Sequence, residues 1–378
     1  MFFIKNFIVI FCISILYSTP SYSIKVKSDY AFLIDFDSDQ VLFEKNPDKK
    51  IFPASMSKLM TLYVLFDYLE KGLVSMSDEF FISENAWRKG GAVSDSSTMF
   101  AEVSSYISIE NLIRGIVIHS GNDACIAVAE GISGSEELFA TEMNFLSQEI
   151  GMTKSNFVNS TGLHNEAHYS TAKDLVILAK SLINNFPQYY HFFSEQNFIW
   201  NGIFQPNRNN LLTDDIGVDG LKTGRTNESG YSMIVSSLSG GNRLVGVLGG
   251  LSSKETRTSE MKKLINYGQK RFKRFTVFKA QDLIGEAKVW GGKYSKVNLT
   301  IAEDINIFLD IRERRLLNAK YSFYEPIIAP VKKGQYIGKI LILNDDIIVA
   351  ESDLISQQEI KGKSIIGRTL ESIRYLID

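Results

Sequence analysis

The spacing of hydrophobic positions changes several times along this 378-residue chain, and each change marks a predicted element. Residues 30–46 contain two apolar runs about an Asp-Ser-Asp turn, a pattern typical of a β-hairpin. Runs rich in β-branched residues predict strands within 220–251. Apolar residues at intervals of three and four predict helices at 55–69, 108–132 (broken near Ser120-Gly121), 170–186 and 253–272.

The order of these elements indicates an α/β fold. Strands before and after a helical stretch predict one domain over residues 24–274, in which the N-terminal hairpin joins the later strands in a single sheet. Beyond residue 275 the pattern changes to short β runs, with turns at Gly291-Gly292 and Asn344-Asp345. Residues 275–361 are therefore predicted to form a small all-β domain that is long enough to fold alone.

The first 23 residues differ from the rest of the chain. Lys5 precedes an apolar run over residues 7–17, and small residues follow it, including Ser21 and Ser23. This order is typical of a secretory signal peptide with cleavage after Ser23. An uncleaved membrane anchor is the alternative, but the apolar run is shorter than the ~20 residues that span a bilayer. We therefore expect an exported, periplasmic protein.

Residues 362–378 have an amphipathic pattern, with four apolar residues on one helix face and basic residues nearby in the sequence. One interpretation is weak contact with the outer face of the cytoplasmic membrane. The other is a short helix packed on the β domain, and both remain open. The apolar positions are Ile366, Leu370, Ile373 and Ile377, and the basic positions are Lys361, Lys363, Arg368 and Arg374.

Composition excludes some classes of function. A net charge of −2 without a long Lys/Arg run argues against nucleic-acid binding. Without the signal peptide, Cys125 is the one remaining cysteine, and its apolar surroundings in the sequence predict a core residue rather than a nucleophile. His164, His168 and His191 are expected on loops or the surface, since no second cluster of metal ligands accompanies them. We therefore expect neither a metal nor a cofactor.

Lys58 stands near the start of the almost wholly apolar helix predicted at 55–69. A buried ammonium costs several kcal/mol unless it is paired or neutralised. One interpretation is that Lys58 reaches solvent from the helix end. The other is that a lysine with a lowered pKa serves as the base for Ser55, three residues before it.

Two further motifs favour the second interpretation. Ser55-Met56-Ser57-Lys58 is followed by Ser120-Gly121-Asn122 and by Lys222-Thr223-Gly224, the last at the start of a predicted strand. Ser-x-x-Lys, a Ser-x-Asn motif and Lys-Thr-Gly occur together in serine β-lactamases and penicillin-binding proteins. A second Ser-x-x-Lys at 170–173 and a second Ser-x-Asn at 83–85 each open a predicted helix, so we interpret both as caps.

The spacing of Ser55 and Lys58 suits proton transfer. Residues three apart share one helix face, so the Ser55 hydroxyl and the Lys58 amine can meet. Burial should lower the pKa of Lys58, and the positive charge of Lys222 should lower it further. A neutral Lys58 can then accept the Ser55 proton.

The other two motifs supply groups that can hold a peptide substrate. Ser120 can relay a proton to the leaving amine, and Asn122 can hold a substrate amide. Gly224 leaves room for a substrate backbone along the strand edge. Lys222 and Thr223 can then face a substrate carboxylate.

Over nearly its whole mature length the chain resembles the D-alanyl-D-alanine carboxypeptidases, the low-molecular-mass penicillin-binding proteins. The resemblance implies a helical cluster against an antiparallel five-stranded sheet, followed by a β-rich stalk domain. It also implies that the backbone N–H groups of Ser55 and Arg225 form the oxyanion hole, and that Arg257 helps bind the terminal carboxylate. Arg225 stands where the family often has histidine, so the local charge differs. The segments that carry the resemblance, besides the three motifs, are 120–125, 160–175, 205–212, 218–226 and 329–340.

The resemblance implies a serine-type carboxypeptidase that removes the terminal D-alanine from peptidoglycan stem pentapeptides and binds β-lactam antibiotics. A DD-endopeptidase uses the same machinery on cross-links and remains open. A class A β-lactamase needs a glutamate that activates water, and Glu166 lies in the right region but lacks the Glu-x-x-Leu-Asn pattern, so we expect it on the surface. The non-enzyme alternative is an inactive wall-binding protein, against which the intact set of motifs argues.

Overall fold

The computed structural model describes residues 24–364. The predicted signal peptide (1–23) lies outside this range, as does the predicted tail (362–378) beyond its first three residues. Within the described range, none of the helices is both long and apolar enough to cross a membrane.

The first two-thirds of the chain forms helices around a central helix. The central helix, α1, is apolar on nearly all sides because it is enclosed by α4, α5 and α6. The helices, in chain order, are α1 (Lys58–Glu70), α2 (Glu84–Gly90), α3 (Ile109–Ile118), α4 (Asn122–Ser133), α5 (Glu136–Glu149), α6 (Ala172–Asn185) and α7 (Lys254–Arg271).

Two of these helices begin at the residues that we interpreted as caps. Ser83 Oγ accepts a hydrogen bond from the Ala86 N–H at 2.9 Å at the start of α2. Thr171 Oγ1 accepts one from the Asp174 N–H at 3.0 Å at the start of α6. Both cap predictions are confirmed, so the second Ser-x-x-Lys and the second Ser-x-Asn have structural roles.

An antiparallel five-stranded sheet packs against the helices, with the strand order β2-β1-β9-β8-β7. The N-terminal hairpin joins the later strands through β1 and β9, where Leu33 pairs with Gly246, as the sequence predicted. β7, which carries the Lys-Thr-Gly motif, is the edge strand. The strands, in chain order, are β1 (Tyr30–Asp35), β2 (Val41–Lys45), β3 (Glu79–Phe81), β4 (Tyr106–Ser108), β5 (Asn197–Trp200), β6 (Ile203–Pro206), β7 (Val218–Thr226), β8 (Gly230–Ser239) and β9 (Asn242–Leu251).

The remainder of the described chain is all-β and has an apolar core of its own, formed by residues such as Val297, Leu299 and Ile340. Its main sheet has the order β14-β16-β17-β12-β11-β15, and β10 pairs with β13 beside it. The strands are β10 (Phe272–Phe278), β11 (Gly285–Trp290), β12 (Lys296–Thr300), β13 (Ile305–Asp310), β14 (Leu317–Phe323), β15 (Ile327–Ile328), β16 (Tyr336–Asn344) and β17 (Ile347–Ser356).

Candidate active site

Ser55 lies in a 3₁₀ turn that leads into α1. The turn spans Ala54–Ser57 and the α-helix begins at Lys58, whereas the sequence predicted a helix from Ser55 onward. The Lys58 N–H donates to the Ser55 carbonyl three residues earlier, the bond that defines a 3₁₀ turn. Side chains three residues apart eclipse each other in this geometry, so the turn directs Ser55 and Lys58 the same way.

The Lys58 amine lies between the serine hydroxyl and a backbone carbonyl. Its Nζ donates to Ser55 Oγ at 3.0 Å and to the Thr161 carbonyl at 2.6 Å. Burial, with a smaller contribution from the nearby Arg208 charge, lowers the pKa of Lys58 to about 8. A fraction of Lys58 is therefore neutral near pH 7, as a base for Ser55 must be.

Lys222 is a second buried lysine, on β7. Its Nζ donates to the Thr223 carbonyl at 3.5 Å. Burial, and then the positive charge of Lys58, holds the pKa of Lys222 well below its ordinary value. The repulsion between the two ammonium groups is mutual, and it favours the loss of one proton from the pair.

Ser120 lies in the break between α3 and α4, where the sequence predicted it, and Asn122 is the first residue of α4. The φ angle of Ser120 is 65°, in the left-handed region that non-glycine residues seldom adopt. Ser120 is fully buried, and its Oγ has no hydrogen-bond partner among the described residues. Asn122 Nδ2 donates to Ser96 Oγ at 3.1 Å. A buried hydroxyl without a partner is costly, so Ser120 Oγ is free to bond a water or a substrate group.

Asp123, which the sequence analysis did not single out, holds this break in place. Its carboxylate accepts hydrogen bonds from Thr98 Oγ1 at 2.5 Å, from the Met99 N–H at 2.9 Å and from the Ala101 N–H at 3.1 Å. These bonds fix the loop before α3 against the first turn of α4. The only signal in the sequence was its place directly after Ser-Gly-Asn.

A cavity of about 570 Å³ opens at the edge of β7 and brings most of the predicted site together. Lys58, Ser120 and Lys222 lie buried behind this lining rather than in it. The predicted site residues that line the cavity are Ser55, Asn122, Thr223, Gly224, Arg225 and Arg257.

Gly224 has a role that the sequence analysis did not foresee. A Cβ atom at this position would lie 2.7 Å from Ser232 Oγ, 3.1 Å from the Pro53 carbonyl and 3.3 Å from the Ala54 Cβ. These atoms belong to β8 and to the chain around the Ser55 turn. The missing side chain therefore lets β7 pack closely against the turn that holds the serine, besides opening the strand edge.

Two guanidinium groups at the cavity have no carboxylate within salt-bridge distance among residues 24–364. Arg257 Nη2 donates to the Arg208 carbonyl at 3.4 Å, while its buried Nε has no partner in that range. Burial lowers the pKa of Arg257 to about 10. Arg208, which the sequence analysis did not single out, donates to Ser97 Oγ at 2.6 Å. Because buried cations without counter-charges are costly, this wall suits an anionic ligand.

Arg225 differs from these two arginines because its side chain is exposed. Its guanidinium lies over the Tyr231 ring, 5.1 Å from the ring centroid. Tyr231 is also its register partner on β8, and both residues line the cavity. A positive charge therefore stands at the cavity mouth.

Three side chains in the segment 157–168 were expected at the surface, and the structure places two of them there. Glu166 and His164 are exposed, as expected, and neither lines the cavity. His168 is not a surface residue, because it is only 2% exposed and its ring bonds to Ser57 Oγ at 2.8 Å. In the described part of the chain, no group of three His, Cys, Asp or Glu side chains is placed to hold a metal ion.

Two family models match the chain. The model described as D-alanyl-D-alanine carboxypeptidase, Peptidase_S11, matches residues 17–252. The model described as the C-terminal domain of penicillin-binding protein 5 matches residues 272–362.

Individual relatives match along most of the chain. The D-alanyl-D-alanine carboxypeptidase DacC of Escherichia coli is 35% identical over 90% of this chain and 86% of its own length. Penicillin-binding protein 5 of Haemophilus influenzae has a solved structure that is 34% identical, covers 90% of this chain and 99% of its own, and superposes with a TM-score of 0.75. Penicillin-binding protein D2 of Listeria monocytogenes, solved in its ampicillin-bound form, is 27% identical with a TM-score of 0.59, and the match covers 66% of this chain and 99% of that one. These matches establish that the chain, whose serine, two lysines and two cavity arginines lie near one sheet edge, belongs to the D-alanyl-D-alanine carboxypeptidase family of serine peptidases.

Proposed function

We propose that this protein removes the terminal D-alanine from peptidoglycan stem pentapeptides through an acyl-enzyme at Ser55, and that β-lactams acylate the same serine. The observation that carries the proposal is the buried Lys58 amine 3.0 Å from Ser55 Oγ, at a cavity lined by Arg208 and Arg257, which have no carboxylate partner among residues 24–364. The ampicillin-bound relative supports the β-lactam part.

In the proposed acylation step, Lys58 accepts the hydroxyl proton as Ser55 Oγ attacks the carbonyl carbon of the penultimate D-alanine. The backbone N–H groups of Ser55 and Arg225 hold the negative oxygen of the tetrahedral intermediate. The peptide C–N bond then breaks, and the amine of the terminal D-alanine leaves with a proton relayed by Ser120. Water next adds to the ester, restores the Ser55 hydroxyl and releases the shortened peptide.

The other site residues are proposed to hold the substrate. Asn122 holds a substrate amide, and the edge of β7 at Gly224 receives the peptide backbone. Lys222, Thr223 and Arg257 face the terminal carboxylate, whose negative charge favours the protonated forms of Lys222 and Arg257.

Intact-mass spectrometry tests the proposal. We expect penicillin to add one covalent adduct per chain, on the peptide that contains Ser55, because this is the serine beside a buried base. Ser55→Ala should abolish the adduct, and the matched control Ser170→Ala should keep it. An adduct on Ser170, or no adduct on the wild-type chain, would contradict the proposal. With a pentapeptide substrate the released product should be D-alanine, whereas preferential cleavage of cross-linked dimers would identify a DD-endopeptidase instead.

We also propose the domain limits and location that the sequence predicts: a signal peptide at 1–23, a catalytic domain at 24–274, a β-rich domain at 275–361 and a periplasmic location. An apolar core formed wholly by residues after the limit supports the division, and Phe308 is the residue of the second domain that packs with the core of the first. β10 (Phe272–Phe278) spans the limit itself and pairs with β13, so the first β strand of the second unit begins slightly earlier.

For the tail at 362–378, we propose weak, salt-sensitive contact with the outer face of the cytoplasmic membrane. Its apolar residues recur at helical spacing, and three basic residues within it and Lys361 just before it suit an anionic lipid surface. Full-length protein should co-sediment with anionic liposomes at low salt, and less at high salt. A chain ending at residue 361 should remain in the supernatant. Equal partitioning of the two chains would instead favour a helix packed on the β domain.

A further inference from the structure

The segment 157–168 forms a closed loop against the catalytic turn. Its two ends are joined by backbone hydrogen bonds between Asn156 and Tyr169, from N–H to carbonyl at 2.8 and 2.9 Å in the two directions. The inner part of the loop lines the cavity at Thr161 and Gly162, and the Thr161 carbonyl accepts the 2.6 Å bond from Lys58. The loop therefore supplies one of the two acceptors that orient the Lys58 amine.

His168 lies at the closing end of this loop and bonds in two directions. Its Nδ1 accepts a hydrogen bond from the Val158 N–H, at the opening end, at 3.3 Å. Because a backbone N–H can only donate, the proton of the neutral ring must be on Nε2. Nε2 then donates to Ser57 Oγ at 2.8 Å. The ring thus joins both ends of the loop to the last residue of the 3₁₀ turn that contains Ser55.

The surroundings of the ring keep it neutral, as this arrangement requires. Burial lowers the pKa of His168 to about 4, and the nearby Lys58 charge acts in the same direction. A second ring proton would point at the Val158 N–H and break the closure of the loop.

The loop and the turn pack too closely to move independently. A Cβ atom on Gly162 would lie 1.9 Å from the Ala54 carbonyl and 3.0 Å from Ser57 Oγ, and the φ angle of Gly162 is +76°. Ser57 itself is fully buried and directly precedes Lys58. We therefore expect a change at the His168–Ser57 contact to shift both Ser55 and the Thr161 carbonyl, the two groups that accept hydrogen bonds from Lys58.

We infer that His168 is a positioning residue for acylation: through its hydrogen bond to Ser57 Oγ it fixes the Thr161 carbonyl and the 3₁₀ turn relative to each other, so that the Lys58 amine stays directed at Ser55. The inference rests on the proposed function, because its effect is on the acylation of Ser55. His168 does not touch the reacting atoms. Its expected effect is on the rate of the covalent step rather than on substrate binding.

Stopped-flow acylation by a fluorescent penicillin tests the inference, with the covalent rate constant separated from the preceding binding constant. We expect Ser57→Ala and His168→Leu each to lower the covalent rate constant about tenfold while binding is unchanged. The double variant should be no slower than either single one, because both remove the same contact. His168→Gln, which keeps an N–H donor and an acceptor, should recover most of the rate.

Ser155→Ala is the matched control. Ser155 Oγ is also buried near the base of the loop, but it bonds to Ser170 Oγ at 2.8 Å and to Asp174 at 2.7 Å rather than to the catalytic turn. We expect it to lower the melting temperature and leave the covalent rate constant at the wild-type value. An equal loss of rate in this control would show a general effect of loop stability and overturn the inference.

Two further outcomes would overturn it. One is a Ser57→Ala variant with the wild-type covalent rate constant. This result would show that the His168–Ser57 hydrogen bond does not affect acylation, even if His168→Leu does not fold. The other is a His168→Gln variant as slow as His168→Leu. The wild-type protein in the same assay separates this inference from the proposed function, since failure of the wild type to acylate contradicts the proposed function alone.

Discussion

Lys58→Arg is expected to lower the rate of Ser55 acylation by about 100- to 10,000-fold, the range for loss of a general base. The Lys58 amine lies 3.0 Å from Ser55 Oγ and has a pKa lowered to about 8, so a usable fraction is neutral at pH 7. A guanidinium stays protonated near neutral pH, so it cannot accept the serine proton there.

The measurement is the second-order rate of labelling by penicillin, with circular dichroism melting as the test of folding. Lys58→Met is the companion variant, because an uncharged side chain of similar length avoids burying a larger cation. Lys173→Arg is the matched control: Lys173 belongs to the second Ser-x-x-Lys, is exposed, and should label at the wild-type rate. Substantial labelling of a folded Lys58→Met variant would show that another group is the base.

The pH dependence of the acylation rate of the wild-type protein is a second test that Lys58 is the base. Below pH 8 the ammonium form of Lys58 predominates, and each unit of pH reduces the neutral fraction about tenfold. The acylation rate should therefore rise with pH and level off above about pH 8. A rate that is flat between pH 6 and pH 9 would exclude Lys58 as the titrating base.

Arg257→Ala is expected to reduce kcat/KM for a substrate with a free terminal carboxylate by about 10- to 150-fold. This range corresponds to about 1.5–3 kcal/mol for a lost hydrogen bond between charged groups. Arg257 is 4% exposed, its Nε has no partner in the described chain, and it lines the cavity. A substrate carboxylate can supply the missing partner and the missing charge together.

The comparison of free-acid and C-terminally amidated peptides distinguishes recognition from folding. Arg257→Ala should affect the free acid much more than the amide, because the amide has no charge to lose. Lys254→Ala removes an exposed cation from the same cavity, one turn earlier on α7, and should have a smaller effect. If both peptides slow equally in Arg257→Ala, the arginine has a structural role only.

The three motifs predicted most of the residues of the site, because the residues within each motif are close in sequence. Ser55 and Lys58, Ser120 and Asn122, and the residues of the Lys-Thr-Gly motif are close in sequence, so helix and strand periodicity places them correctly. The 3₁₀ turn at Ser55 escaped prediction because an apolar run has the same pattern before and after the change from 3₁₀ to α geometry.

The contacts that the sequence did not reveal join distant segments. The Lys58 amine and the Thr161 carbonyl are 103 positions apart, and a backbone carbonyl leaves no mark in the residue types. His168 and Ser57 are 111 positions apart, so the histidine resembled an ordinary loop residue. Arg208 belonged to a segment that supported the resemblance, but only the fold shows that it faces Arg257.

The position of β1 within the five-stranded sheet has a consequence for how the chain folds. β1 lies between β2 and β9, and Tyr30 pairs with Gly249. β1 is synthesised early, and roughly 200 further residues must be added before its partner strand β9 exists. Such long-range pairing makes folding slow, because the entropy of closing the intervening chain is lost before the contacts form. An emerging nascent chain therefore has no complete sheet until residue 251 is made, and the catalytic cavity at the far edge of that sheet assembles late.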